Sequence, residues 1–487
     1  MLKRLLIVLF FIAFLAKAYY LGQVPLHEDG TLYAVMISEE AEHLSFLPTY
    51  FGYPAPWKPG LYFMAYSLFL PVTSHLFNSI EWIYKAPNLL FGTLSALLFY
   101  FISRRFGGSD FALACALLFY SSTLSIYVET RLLMETFTLS LILLSLYFYT
   151  SKFGRWKFLA AGAAALLAAL SKSVIAFMLI PLALAYAWSR EKSALKDPLF
   201  LISLTAPSLG LALFALALQH IGMLEEILLT DTGKHAFFAF DNLIASFLEN
   251  LALLFGYVHL MLPAALIALL PKRKPEPFFA AWAALAVLLL LSFEGHAWYY
   301  YYILPAFAFL TADLAMEKRR LDGFAALLIS LFAIANICIF AVSAMDWENN
   351  HFRQLIESRN IGLQLAGQEN TLIIGWYYPI TTTLAYKTLE EERTLGGRLP
   401  VGYIILISPY EDPNLLEEAT PVFVEDYNAD AYGAQDEAFA NLFWEFSVFR
   451  LKTNLTEFDY VVVSPPYPLE GHSTFYEGNF STVYKKD

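Results

Sequence analysis

The sequence predicts a multi-span α-helical membrane protein with about eleven transmembrane helices and a C-terminal extracytoplasmic α/β soluble domain. Three observations predict it. Of 487 residues, 58% are hydrophobic and only 15% charged, whereas a soluble domain carries about 25% charged residues. Eleven apolar runs approach the length that a ~30 Å hydrocarbon core requires. Basic residues fall in alternate loops between those runs.

The runs lie at about 5–22, 86–103, 110–127, 132–150, 158–171, 174–189, 199–219, 247–270, 278–293, 298–316 and 323–345. The first follows Lys3 and Arg4, and Gly22-Gln23-Val24-Pro25 after it is a poor cleavage site. It therefore reads as a retained span. The run at 158–171 is the shortest. Cys115 and Cys338 each sit inside an apolar run, so no disulfide framework is expected.

Sixteen basic residues support this map: Lys3/Arg4, Arg104/Arg105, Lys152/Arg155/Lys157, Arg190/Lys192/Lys196, Lys272/Arg273/Lys274 and Lys318/Arg319/Arg320. With eleven spans all of them land on one side, which the positive-inside rule makes the cytoplasm. The N-terminus is then inside. Loops 23–85 and 220–246 and the tail are outside. Residues 1–345 read as the transmembrane domain and 346–487 as the soluble one. An integral protein of a prokaryotic plasma membrane is expected.

From Asp346 on there are 22 acidic and 9 basic residues, a net charge of −13 against +1 for the rest. Thr371–Trp376, Tyr403–Ser408 and Tyr460–Ser464 are strand-like. Asn349–Leu365 and Glu437–Phe446 are helix-like, which makes an α/β unit. Asn454-Leu-Thr and Asn479-Phe-Ser are glycosylation acceptor patterns, a weak sign of an outside location.

The informative charges are those off the basic side: Lys17, Lys58, Lys85, Arg131, Lys172 and Lys234. Lys17 and Lys85 read as snorkelling at a helix end or pairing with a nearby acid. Lys58, Arg131 and Lys172 read as an anion site. Acids lie close in sequence, in His27-Glu28-Asp29 and in Glu129-Thr-Arg131-Leu-Leu-Met-Glu135. Arg131 and Glu135, four apart at a helix start, share a face, so a structural salt bridge is the competing reading. A membrane-edge pocket with carboxylates and cations suits a phosphate-bearing lipid and a proton to be removed.

These residues resemble motifs of the GT-C superfamily of membrane glycosyltransferases, in the branch of the protein O-mannosyltransferases and the aminoarabinose transferase of lipid A. His27-Glu28-Asp29-Gly30-Thr31-Leu32-Tyr33-Ala34 is similar to the family's Asp-Glu-x-x-Tyr-Ala segment. Trp57-Lys58-Pro59-Gly60-Leu61-Tyr62 is similar to its Lys/His-Pro-Pro-Leu-Tyr. Arg131-Leu-Leu-Met-Glu135 resembles Arg-x-x-x-Asp, and Ala168-Ala-Leu-Ser-Lys172-Ser resembles Gly-Leu-x-x-Leu-Thr-Lys-Gly. Tyr299-Tyr-Tyr-Tyr-Ile-Leu-Pro305 is a weaker match to Tyr-x-Leu-Pro. Gly30 stands at the second acid of the first motif, and Glu28 takes its place. Glu135 replaces an aspartate. Trp57 stands where the aminoarabinose transferase has a glutamate, which departs from that relative's metal site.

The resemblance implies transfer of a sugar, with inversion, from a polyprenyl (dolichyl or undecaprenyl) phosphate to an acceptor hydroxyl on protein, lipid or glycan, outside the cytoplasm. Asp29, with Glu28, is the expected base. The competing reading makes Asp29 an N-cap of the helix that follows. Lys58, Arg131 and Lys172 are expected to hold the phosphate. Glu135, His235 and Tyr62 are expected to orient groups or meet the acceptor. The sequence assigns no cofactor and leaves a divalent metal open. A divalent metal at His27, with His235, His296 and the nearby acids, is the weak option, because no ligand spacing supports it. The 220–246 loop reads as amphipathic segments on the bilayer, a lid or a connector. Tyr299–Tyr302 reads as an interfacial aromatic belt. Gly375-Trp-Tyr-Tyr-Pro379 is not the Trp-Trp-Asp-Tyr-Gly of oligosaccharyltransferases, so N-linked transfer is not expected. The partners expected are the lipid-linked donor, the acceptor and the bilayer, with no nucleic acid. A membrane transporter or lipid flippase is the alternative function, and a scaffold displaying the tail is a third.

Overall fold

The computed structural model describes residues 2–26, 28–50, 53–54, 58–224, 243–259, 261–270, 275–292, 297–316 and 319–345, with short pieces at 356–357, 360–361, 371–375, 403–406, 460–463, 472–477 and 482–486. The chain divides into two compact units. One comprises Met1–Val24, Glu40–Thr49 and Pro54–Met345, and the other Pro25–Glu39, Tyr50–Tyr53 and Asp346–Asp487.

The first unit is helical, and each predicted apolar run carries helix. In order come α1 (Leu2–Gln23), the end of α2 (Glu28–Glu42), α3 (Leu61–Ser67), α4 (Leu70–Leu76), α5 (Ile80–Tyr120), α6 (Thr123–Glu129), α7 (Met134–Tyr149), α8 (Lys157–Ser171), α9 (Leu179–Arg190), α10 (Pro198–Leu204) and α11 (Ala206–His220). Helices Leu243–Val258, Met261–Ala268, Pro277–Ser292, Leu304–Ala315 and Gly323–Met345 follow. Among its described residues, the 23–85 segment, expected as a loop, thus holds α2, α3, α4 and the start of α5. By length and apolarity, three of the described helices qualify to cross a membrane, or six if each bent pair counts as one span. α5 bends at Gly108, whose φ of 84° is open to glycine at little cost. That bend separates the runs expected at 86–103 and 110–127.

Contacts among helix ends gather the basic loops onto one face. Lys3 pairs with Asp110 at 3.4 Å and Arg319 with Asp313 at 2.7 Å. Arg105 donates to the Tyr147 carbonyl at 2.7 Å, and Arg319 to that of Phe106. Lys157 meets Glu191 at 2.5 Å, and Arg190 holds the buried Glu276 with two donors. The core between the faces is aromatic, as where Phe279 stacks on Phe309 at 3.5 Å. Cys115 is buried, Cys338 is exposed, and both are free.

Among the described residues of the second unit, five strands form one sheet. Thr371–Gly375 runs parallel to both Tyr403–Leu406 and Tyr460–Val463, with Ile373 opposite Ile404 and Val462. Thr482–Lys486 adds antiparallel to Tyr460–Val463, and His472–Glu477 completes the order beside it. The first three strands are those expected from the sequence, and the last two were not. Glu437–Phe446, Asn454 and Asn479 lie outside the described residues.

Candidate active site

The end of the helical unit opposite the basic face is organised by a break between α6 and α7. Ser122 caps α6, accepting from the Ser125 amide at 3.1 Å. α6 ends at Glu129, and Leu133 turns extended (φ −126°, ψ 140°) before α7 leaves at 114° to α6. A helix end leaves carbonyls without intrahelical partners. Two side chains of α5, one turn apart, supply them here. Lys85 Nζ donates to the Thr130 carbonyl at 3.1 Å and also to that of Val24, and Asn88 Nδ2 donates to that of Arg131. Lys85 is therefore fully buried, which corrects its reading as a snorkelling residue.

Arg131 lies in the break, largely buried, with its guanidinium 4.0 Å from the Tyr127 ring. Tyr127 in turn packs edge-on against Tyr257 at 4.7 Å. The expected i, i+4 pair with Glu135 is replaced, because Arg131 precedes the helix that Glu135 opens. Glu135 instead pairs with Lys172. Glu135 is buried, while Lys172 keeps 18% of its side chain exposed and its Nζ 4.5 Å from the Tyr299 ring. Lys172 closes α8 with its amide on the Ala168 carbonyl at 2.9 Å. One turn deeper, the Thr138 and Ser171 hydroxyls bond at 2.8 Å and fix α7 against α8.

Lys58 is half-buried on the loop that enters α3. The loop is anchored where the Gly60 amide meets the Phe46 carbonyl at 3.2 Å, and a Cβ at Gly60 would collide with that carbonyl. α3 then packs on α7 through rings: Tyr62 lies 6.3 Å and Tyr66 6.1 Å from Phe137. Lys58, Arg131, Glu135 and Lys172 thus belong to adjoining elements at one end of the unit. Tyr62 is fully buried, a position that suits orienting neighbours rather than touching an acceptor.

Asp29 and Glu28 belong to the other unit. α2 begins at Glu28, so Asp29 lies inside the first turn and not at the N-cap. A carboxylate there is favoured by the helix dipole. Asp29 is half-buried. Thr31, fully buried, donates to the Leu26 carbonyl at 3.5 Å. His27, His235 and His296 lie outside the described residues, and among those described no three His, Cys, Asp or Glu gather as a metal would need.

Comparison with known proteins places this architecture. The crystal structure of ArnT from Cupriavidus metallidurans bound to undecaprenyl phosphate superposes with a TM-score of 0.69, covering 98% of this chain and 97% of that one at 14% identity. This chain has the GT-C membrane fold. The apo form of ArnT gives a TM-score of 0.63 at 13% identity with the same coverage. The GT-C oligosaccharyltransferase of Archaeoglobus fulgidus gives 0.46 at 13% identity, over 82% of this chain and 68% of that one. The family model described as dolichyl-phosphate-mannose-protein mannosyltransferase matches residues 60–218. That stretch of the GT-C fold holds Arg131, Glu135 and Lys172 and begins two residues after Lys58. No curated protein matches.

Sequence reasoning missed a polar cluster inside this GT-C unit. Lys17, in the last third of α1, pairs with Glu129 at 2.7 Å, and both side chains are 1% exposed. Lys17 also donates to Ser125 Oγ at 2.8 Å and lies 3.4 Å from the Tyr120 ring. Ser125 and Tyr301 donate to Glu129 Oε1 at 2.6 and 2.7 Å. Lys17 therefore does not snorkel, and its pairing with an acid is what the structure keeps. Nor do Tyr300, Tyr301 and Tyr302 form a belt, for all three are buried in a tight turn, with Trp282 donating to the Tyr302 carbonyl at 2.9 Å. The available signal was a lone lysine in an apolar run, which requires an internal partner.

Proposed function

We propose that this chain is a membrane glycosyltransferase that moves one sugar from a polyprenyl phosphate to an acceptor hydroxyl, outside the cytoplasm and with inversion. The observation that carries this reading is a GT-C fold over 98% of the chain. The cations Lys58, Arg131 and Lys172, at one end of it, support the reading. In the reaction the acceptor oxygen attacks the anomeric carbon from the face opposite the phosphate. The bond from that carbon to the phosphate oxygen breaks, and polyprenyl phosphate leaves with the electron pair. Asp29, backed by Glu28, takes the acceptor proton, a role that needs hydrogen-bond reach. Lys58, Arg131 and Lys172 stabilise the charge that grows on the phosphate. Glu135 holds Lys172 in place. In this reading residues 1–345 are the catalytic membrane part and 346–487 an extracytoplasmic α/β domain.

The test is Asp29→Asn. It is expected to abolish turnover while binding of a polyprenyl-phosphate sugar persists. Unchanged turnover would remove Asp29 from the base role. The bent helix pairs and the interior Lys17–Glu129 pair also fit a transporter or flippase, whose function uses such features. Lipid movement across vesicles that is indifferent to Asp29→Asn would favour that reading.

A further inference from the structure

The candidate site contains a short chain of hydrogen bonds that joins its two cationic arms. On α3, Tyr66 donates its hydroxyl to Asn88 Oδ1, and Asn88 Nδ2 donates to the Arg131 carbonyl. Asn88 is fully buried, and Tyr66 is 1% exposed. One side-chain amide therefore bridges two elements. One is α3, whose entry loop carries Lys58. The other is the break that carries Arg131.

The bridge is poised to matter because the Thr130 amide makes the last helical bond of α6, to the Ile126 carbonyl at 3.0 Å, and residues 131–133 lack the i→i−4 bonds that would otherwise fix them. Leu133 is extended, and the Arg131 amide makes a bent turn contact to Val128 at 3.4 Å. The carbonyl of Arg131 accepts from the Leu133 amide within the break at 3.1 Å and, from α5, from Asn88 Nδ2, which has no other acceptor among the described bonds. Lys85, one turn earlier on α5, fixes the neighbouring Thr130 carbonyl in the same way. An amide is the chemistry this place requires. It accepts from a phenol on one side and donates to a carbonyl on the other, which neither a carboxylate nor an aliphatic side chain does.

We propose that Asn88 is a positioning residue that sets Arg131 against the Lys58 arm for the phosphate of a polyprenyl-phosphate ligand. The inference rests on the proposed function and adds a residue to it. Asn88 does not touch the ligand and acts through Arg131.

The experiment measures undecaprenyl phosphate binding to the full-length, detergent-solubilised protein by native mass spectrometry, for wild type, Asn88→Leu, Tyr66→Phe, Arg131→Ala and Asn88→Leu with Arg131→Ala. Asn88→Leu is expected to weaken binding roughly tenfold, and Tyr66→Phe to weaken it less. In the Arg131→Ala background, Asn88→Leu is expected to add less than about twofold, since the residue through which it acts is gone. A structural defect alone would add its full loss in both backgrounds, and that result overturns the inference. So does wild-type affinity in Asn88→Leu. If Asn88→Leu fails to fold, Tyr66→Phe, which loses one hydroxyl, is taken through the same cycle with the same criterion. If the wild-type protein does not bind undecaprenyl phosphate, the functional reading falls and the inference with it. If wild type binds and Arg131→Ala weakens it while the Asn88 cycle is additive, only the role of Asn88 is lost.

Discussion

Lys17 and Glu129 form a buried ion pair between α1 and α6, 2.7 Å from nitrogen to oxygen, with 1% of each side chain exposed. Removing one member of such a pair leaves an uncompensated charge, at a cost of about 3–5 kcal/mol. Lys17→Met is therefore expected to lower the melting temperature sharply. Adding Glu129→Gln to it is expected to recover most of the loss, because Gln still accepts from Ser125 and Tyr301. Thermal unfolding of the purified variants checks both, and an additive double variant would show that the pair does not act as a unit.

Gly92 extends the same point. A Cβ there would run into the Glu129 carboxylate. Gly92→Ala is expected to cost about 1–3 kcal/mol by overpacking, and little in a Glu129→Ala background, where the space is free. The two melting temperatures decide it.

Glu135 and Lys172 test whether the site's charges are structural or functional. Lys172→Met is expected to destabilise the protein, because Glu135 is 3% exposed and loses its partner. It is also expected to weaken donor binding. Adding Glu135→Gln is expected to restore stability and to leave donor affinity low. Recovery of affinity together with stability would make the pair a structural bridge only.

What was legible in the sequence follows from what hydropathy measures. Composition marks where a helix can lie, so the apolar runs at 132–150 and 323–345 coincide with α7 and Gly323–Met345. It does not mark which way a charge faces. Lys17 lies inside a run near its outer end and Lys85 at a run edge, and in both places hydropathy does not separate snorkelling from burial. The spacing of Arg131 and Glu135 assumed one unbroken turn, and the extended Leu133 removes it. Within 28–76, α3 and α4 were missed because each has only 7 residues, and α2 because its apolar stretch stops at Ser38-Glu39-Glu40, too short for a span. In the tail, the β-branched cores of Thr371–Gly375 and Tyr460–Val463 announced strands. His472–Glu477 and Thr482–Lys486 mix polar with aromatic residues and lack that mark. Of the site, the residue types and their end of the fold were legible, whereas the partner of each charge required the tertiary structure.

Lys58 separates donor binding from folding most cleanly. It is half-buried, and among the described residues it makes no ion pair, so its removal leaves no partner stranded. Lys58→Ala is expected to change the melting temperature little, because substitutions away from buried networks are usually within about 0.5 kcal/mol. Donor affinity is expected to fall roughly tenfold or more, as the phosphate loses one charge-assisted contact. Lys58→Arg keeps the charge and is expected to retain part of the affinity. The measurement is a titration of each variant with a polyprenyl-phosphate sugar, run beside its thermal unfolding curve. Unchanged affinity in Lys58→Ala would take Lys58 out of the phosphate site and leave Arg131 and Lys172 as the cations that the reaction has to use.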